Sequence, residues 1–192
     1  MRQDEICARL IASTIHVVST EGLDKATTKL ISIRSDINEA SIYRVFENKE
    51  DLLNKTFASL DSELVAKIME YIHIMYDCSL SFEERCRQFF SPVWRFLLSN
   101  EEKCRAFIRY YYSPYFKKYS LEAHRIKYIP VVKKFEDAFR AESNIWMLLN
   151  HILNVMLDFA VKVFNHEVSD SDDTAEHVFL LIYTSVITYK KV

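Results

Sequence analysis

Apolar side chains recur at three- and four-residue spacing along nearly the whole chain. Ile6, Cys7, Leu10, Ile11, Thr14, Val17 and Val18 form such a stripe and predict an amphipathic helix over residues 4–20. The chain's single glycine, Gly22, follows directly, where a helix end favours a residue of left-handed backbone. Residues 26–34 predict a short second helix with Thr27 as its N-cap, and Ser35-Asp36 turns the chain. Asn38 caps a third helix, flanked by Ile37 and Ile42 at the spacing of a hydrophobic staple. Asn48 caps a fourth, with Asp51 at its third position and an apolar stripe through Leu52, Leu53, Phe57, Leu60, Leu64 and Ile68.

Beyond residue 77 the helices are longer and more aromatic. Ser81-x-x-Glu84 is a capping box opening a helix to about Leu98, and Asn100 caps another through Tyr112. Ser91-Pro92 and Ser113-Pro114 are expected to kink or end their helices, because proline lacks a backbone donor and clashes with the preceding turn. A helix on either side of Pro130 reaches about Ala141. Residues 145–165 are apolar except for a stripe four apart, Asn150, Asn154, Asp158 and Lys162. The polar run 169–173 links to and caps a last helix, 174–191.

Composition narrows the class. One glycine and three prolines in 192 residues leave too few turn formers for a β-sandwich or an α/β fold, and exclude a glycine-rich phosphate loop. The expected fold is all-α. Hydrophobic residues at 49% permit a full core, and the net charge of −2 decides nothing about partners. Cys7, Cys78, Cys86 and Cys104 show no C-x-x-C pairing and sit among apolar residues, so they are expected to be reduced core side chains. The six histidines have no metal-ligand spacing, and no nucleophile–base pair or carboxylate pair emerges, so neither metal, cofactor nor enzymatic activity is expected. The N-terminal decapeptide has no signal-peptide apolar run, and no ~18 uninterrupted apolar residues mark a membrane span. A soluble cytoplasmic protein is expected.

Three short helices with a tight turn between the second and third are the elements of a helix-turn-helix. In that arrangement Thr27 and Thr28 reach phosphate from the second helix, beside Lys29. The third helix presents Asn38, Glu39, Ala40 and Ser41 to base edges, then Tyr43 and Arg44 one turn on, and Lys49 meets a phosphate. A bare three-helix core accounts for Ile31, Ile37, Ile42, Val45 and Phe46. It leaves the Thr pair, Ser41-x-Tyr43-Arg44 and Lys49 without a reason. Over residues 4–55 the pattern GLDKATTKLIS followed by SIYRVFENKEDLL resembles the tetracycline-repressor (TetR) family. The family's glycine falls on Gly22, its Thr/Ser pair on Ala26-Thr27, its aromatic on Tyr43, and its phenylalanine and Lys-Glu-x-Leu on Phe46 and Lys49-Glu50-Asp51-Leu52. Two positions depart from it. The usual Ala-Gly turn is Ser35-Asp36, which tolerates left-handed backbone, and Glu39 stands where a small or basic residue is common. Residues 1–55 hold eight Lys/Arg and nine Asp/Glu, so any basic face must come from placement. Glu39 is expected to add specificity, as an acceptor for cytosine N4 in the major groove.

The resemblance implies an N-terminal helix-turn-helix DNA-binding domain and a C-terminal helical domain that binds a ligand and dimerises. The boundaries read as 1–47 for DNA binding, 48–70 for a connector helix and 71–192 for the remainder. Partners are then double-stranded operator DNA, an unidentified small-molecule effector and a second copy of the chain, with no membrane. Aromatics crowd residues 82–119, and Trp94, Tyr111, Tyr112, Trp146 and His151 are the candidate walls of an effector cavity. For any one aromatic, a place in a bulky core is the better explanation. Basic residues outnumber acids over 85–134, which admits an acidic group on a largely apolar effector. The apolar faces of 145–165 and 174–191 supply a dimer interface. The functional reading is a ligand-responsive repressor released from a pseudo-palindromic operator; the alternative is a small-molecule binding protein of the same fold without operator binding.

Overall fold

A computed structural model of the protein describes residues 2–191. The described residues are helical, with no strand and only one isolated antiparallel bridge, between Phe139 and Lys190. The α-helices are α1 (Gln3–Glu21), α2 (Thr28–Ser35), α3 (Glu39–Val45), α4 (Lys49–Tyr71), α5 (Phe82–Leu98), α6 (Glu101–Tyr111), α7 (Leu121–Glu136), α8 (Ile145–Phe164) and α9 (Asp172–Val186). Short 3-10 segments follow α4 and α9, and a π-helical turn, Phe116–Ser120, leads into α7. Two compact units result. The first holds the residues up to Glu63 together with Glu102–Arg125, the second Leu64–Glu101 together with the chain from Ile126.

In the first unit α1 buries Leu10, Thr14, Val17 and Val18, and the Thr14 hydroxyl is satisfied by donating to the Leu10 carbonyl at 2.7 Å. Gly22 ends α1 at φ 93°, ψ 168°, a region open essentially to glycine alone rather than the expected left-handed helix. Its N–H and the Arg109 guanidinium of α6 both donate to the Val18 carbonyl, so the end of α1 is held from two sides. Phe57 of α4 stacks on Phe107 and Tyr110 and meets Phe116 edge-on, with centroids 4.7–5.4 Å apart. Two polar groups are buried beside this cluster. His124 and Asp61 meet at 3.0 Å, and Ser120 donates to Asn54 at 2.6 Å while sharing a hydrogen bond with Tyr110. Burial this deep needs such partners, since an unpaired polar group there costs about 1–3 kcal/mol.

The second unit packs α5 against α8 and α9. The Ser81–Glu84 capping box opens α5, and both of its reciprocal hydrogen bonds are present. Pro92 lies inside α5, which continues to Leu98 without a break, and Pro130 is likewise carried within α7. By contrast α6 stops at Tyr111, ahead of Pro114. The Asn100 amide donates back to the Phe96 carbonyl at the end of α5. Cys104 is buried and Cys7 and Cys86 are half-buried, but Cys78 is exposed; it sits in the turn between the 3-10 segment and α5, where no apolar layer covers it.

The last two helices carry different faces. On α9, Val178, Ile182 and Val186 are in the unit's own core, while Leu180 and Leu181 point outward, Leu181 being 52% exposed. On α8, Ile145, Leu149 and Met156 are buried and Met147 is 67% exposed. By length and composition α8 is apolar enough to cross a membrane, with Asn150, Asn154, Asp158 and Lys162 as its polar interruptions, yet only 28% of that stretch is buried within the chain.

Candidate nucleic-acid interface

The α2–α3 pair is set by short-range hydrogen bonds. The Thr27 hydroxyl accepts from the Leu30 N–H at 3.2 Å and so caps α2. Asp36 ends α2 in the left-handed region, at φ 53° and ψ 38°. The Arg9 guanidinium donates to the Ser35 carbonyl at 2.6 Å, and Ser32 and Ile37 exchange hydrogen bonds across the turn. Asn38 accepts from the Ala40 N–H at 2.8 Å, and Ile37 and Ile42 are both buried below it as a staple. Asn48 accepts from the Asp51 N–H, and the Asp51 carboxylate accepts from the Glu47 N–H.

This frame turns Thr27, Lys29, Asn38, Ala40, Tyr43 and Arg44 outward, with Tyr43 55% exposed; Thr28, Glu39 and Lys49 are half-buried. Ser41 is different. It is buried, and its hydroxyl accepts from the Arg44 guanidinium at 2.5 Å, so it positions Arg44 rather than facing outward. Among the described residues Lys29, Arg34, Arg44 and Lys49 make no ion pair, so their charge is available to a polyanion. Glu39 is engaged within the chain: its carboxylate accepts from the Thr28 hydroxyl at 2.5 Å, and Tyr43 Oη lies 3.4 Å from the same Thr28 oxygen.

The five effector-contact candidates divide between the two units. Tyr111 and Tyr112 lie in the first unit, where Tyr111 packs on Phe116 and His124 and Tyr112 is 70% exposed. Trp94, Trp146 and His151 lie in the second. Trp94 is buried against Phe90, Trp146 meets Tyr128 edge-on, and exposed His151 shares a hydrogen bond with Ser185. None of the five lines the small apolar cavity of the second unit. That cavity, about 40 Å³, is walled by Met75, Cys86, Phe89 and Phe90, by Phe135 and Phe139, and by side chains of α8 and α9 including Met156 and Phe179. Burial pushes the Cys86 thiol up to about 12, so it is protonated at neutral pH and inert as a nucleophile. The signal missed in the sequence was the four-residue spacing of Phe179-x3-Tyr183, which puts two rings on one face of α9; Phe139 lies beyond the end of α7 and reaches Phe135 through the turn that follows that helix.

Residues 10–56, which span the α2–α3 frame and its capped neighbours, match the family model described as bacterial regulatory proteins, tetR family. Over that stretch the chain is similar to this family. No curated protein matches the chain significantly. Solved structures of the family share the fold over nearly its whole length. A TetR-family transcription regulator from Marinobacter aquaeolei VT8 superposes with a TM-score of 0.75 at 16% identity, covering 96% of this chain and 98% of its own. A TetR-family transcriptional regulator from Haemophilus influenzae Rd gives 0.68 at 17% identity, covering 98% of each chain. The fatty acid degradation regulator FadR from Bacillus halodurans gives 0.68 at 16%, covering 91% and 96%. The chain thus has the TetR transcriptional-regulator fold, with its helix-turn-helix at α2–α3.

Proposed function

We propose that the protein is a cytoplasmic, homodimeric transcriptional repressor that leaves a pseudo-palindromic operator when a largely apolar small molecule binds. The observation that carries the reading is the outward set Thr27, Lys29, Asn38, Ala40, Tyr43 and Arg44 on a TetR-type α2–α3 frame, which no core packing explains. Residues 1–47 form the DNA-binding domain in this reading. Asn38 and Ala40 meet base edges; Thr27, Thr28, Lys29, Tyr43 and Lys49 hold phosphates; Arg44, steadied by Ser41, reaches either.

A second copy covers the outward residues of α8 and α9, Met147, Leu180 and Leu181, in a four-helix arrangement about a two-fold axis. The two α3 helices then meet successive half-sites about one duplex turn, ~34–36 Å, apart. The effector enters the apolar cavity of the second unit. At about 40 Å³ the cavity is far below the ~300–1,000 Å³ of ordinary ligand sites, so binding must open it. The lever is α4, a continuous helix that contributes Phe57 to one core and Leu64 and Ile68 to the other. Coupling of about 1–3 kcal/mol, roughly 5–150-fold in operator affinity, is enough for a switch.

A gel shift with DNA from immediately upstream of the coding region tests this, using cell extract as the source of effector. A retarded band that the extract abolishes is expected. No band at low salt favours an effector-binding protein that has lost operator binding, a reading whose one supporting observation is the Glu39 carboxylate on the α2–α3 face.

A further inference from the structure

Thr28 opens α2, Glu39 opens α3, and Tyr43 stands four residues on from Glu39, so these three side chains meet where the two helices converge. A hydroxyl carries one proton. With that proton donated to Glu39 at 2.5 Å, Thr28 can only accept from Tyr43, and it has nothing left to donate to a DNA phosphate, which only accepts. Among the described residues no lysine or arginine forms an ion pair with Glu39, so no cation stands between its carboxylate and an arriving phosphate. A phosphate arriving at Thr28 therefore meets a carboxylate that holds the donor it needs and repels it.

We propose that Glu39 is a phosphate-mimicking gate: in the free protein its carboxylate takes the place on Thr28 that a DNA phosphate takes in the complex, and binding requires its displacement. This rests on the operator-binding reading above and adds a residue that restrains affinity. Non-specific contacts, which come almost wholly from phosphates, are weakened most. An operator that supplies good base contacts can overcome the gate, so Glu39 raises the ratio of specific to random binding by lowering the random term.

The test is fluorescence anisotropy at several salt concentrations with wild type, Glu39→Gln, Glu39→Ala, Thr28→Val and Thr28→Val/Glu39→Ala. The probes are a random-sequence 30-base-pair duplex and one enriched by selection with the wild type, and circular dichroism confirms folding. Glu39→Ala should bind the random duplex about tenfold more tightly than wild type. Glu39→Gln, which keeps the acceptor but not the charge, should fall between them. In the Thr28→Val background the gain from Glu39→Ala should shrink at least threefold. An equal gain in both backgrounds would make Glu39 a remote repulsive charge and overturn the gate. Weaker binding by Glu39→Gln, with relaxed preference at one base pair per half-site, would overturn it in favour of a cytosine contact. Wild-type binding unchanged by any Glu39 substitution would overturn it alone. Failure of every protein to bind either duplex would instead overturn the operator reading, and the gate with it.

Discussion

In the α2–α3 frame, Thr27, Asn38 and Asn48 each accept from a backbone N–H two or three residues away. The walls of the apolar cavity, by contrast, join Met75 and Cys86 to Phe139, Met156 and Val186. The caps of the first region are contacts that a short peptide can make; the second region exists only once distant helices have packed. A surface set by such caps, with Arg9 of α1 holding the Ser35 carbonyl, draws on few elements. A cavity built by long-range packing is the part of the molecule that the proposed effector would have to open. On the proposed function the locally capped region is the rigid reader and the cavity region the deformable sensor, and the two are encoded differently in one chain.

The largest effect should come from charge placed in the deformable region. Val186→Asp buries a carboxylate among cavity walls and should cost more than about 4 kcal/mol, seen as loss of the cooperative thermal transition. Leu181→Asp, on the same helix but exposed, should leave the helical circular dichroism intact and shift light scattering from dimer to monomer. An unmutated chain that is already monomeric at micromolar concentration would remove the dimer from the account.

Next, Phe139→Ala should cost about 3–5 kcal/mol by enlarging the cavity. A small apolar probe such as toluene should then raise the Tm of the variant more than that of the wild type, through preferential binding to the folded state. Equal shifts would mean the space cannot open. In the rigid region, Arg44→Ala should weaken operator binding by about 1–3 kcal/mol. Lys49→Ala should weaken all sequences alike and reduce the salt slope by about one. Smallest is Asn48→Ala, which removes the cap of α4 at about 1 kcal/mol in urea denaturation without changing base preference.

The same contrast explains what the sequence showed. The caps at Thr27, Asn38, Ser81 and Ser171, the Ile37–Ile42 staple and the left-handed Asp36 were legible because each depends on residues a few positions apart. The burial of Ser41 was not legible, although its i, i+3 spacing to Arg44 is the spacing at which the guanidinium reaches its hydroxyl. The engagement of Glu39 by Thr28 was not legible, because it depends on how two helices cross. Trp94, Tyr111, Tyr112, Trp146 and His151 were chosen by aromatic density or place on an apolar helix, and density does not say which face of a helix a ring occupies. Val178, Ile182 and Val186 illustrate the point, since the pattern that makes α9 apolar all round does not separate its core side from Leu180 and Leu181.

The central claim is that the α2–α3 face reads a two-fold-related DNA sequence, and selection from a pool of random duplexes with the full-length wild-type protein tests it most directly. The account predicts enrichment of a pseudo-palindrome whose half-sites are centred about one duplex turn apart, with affinity falling steeply as salt is raised. Duplexes recovered at every round without a shared sequence, or a shared sequence lacking two-fold symmetry, would contradict it.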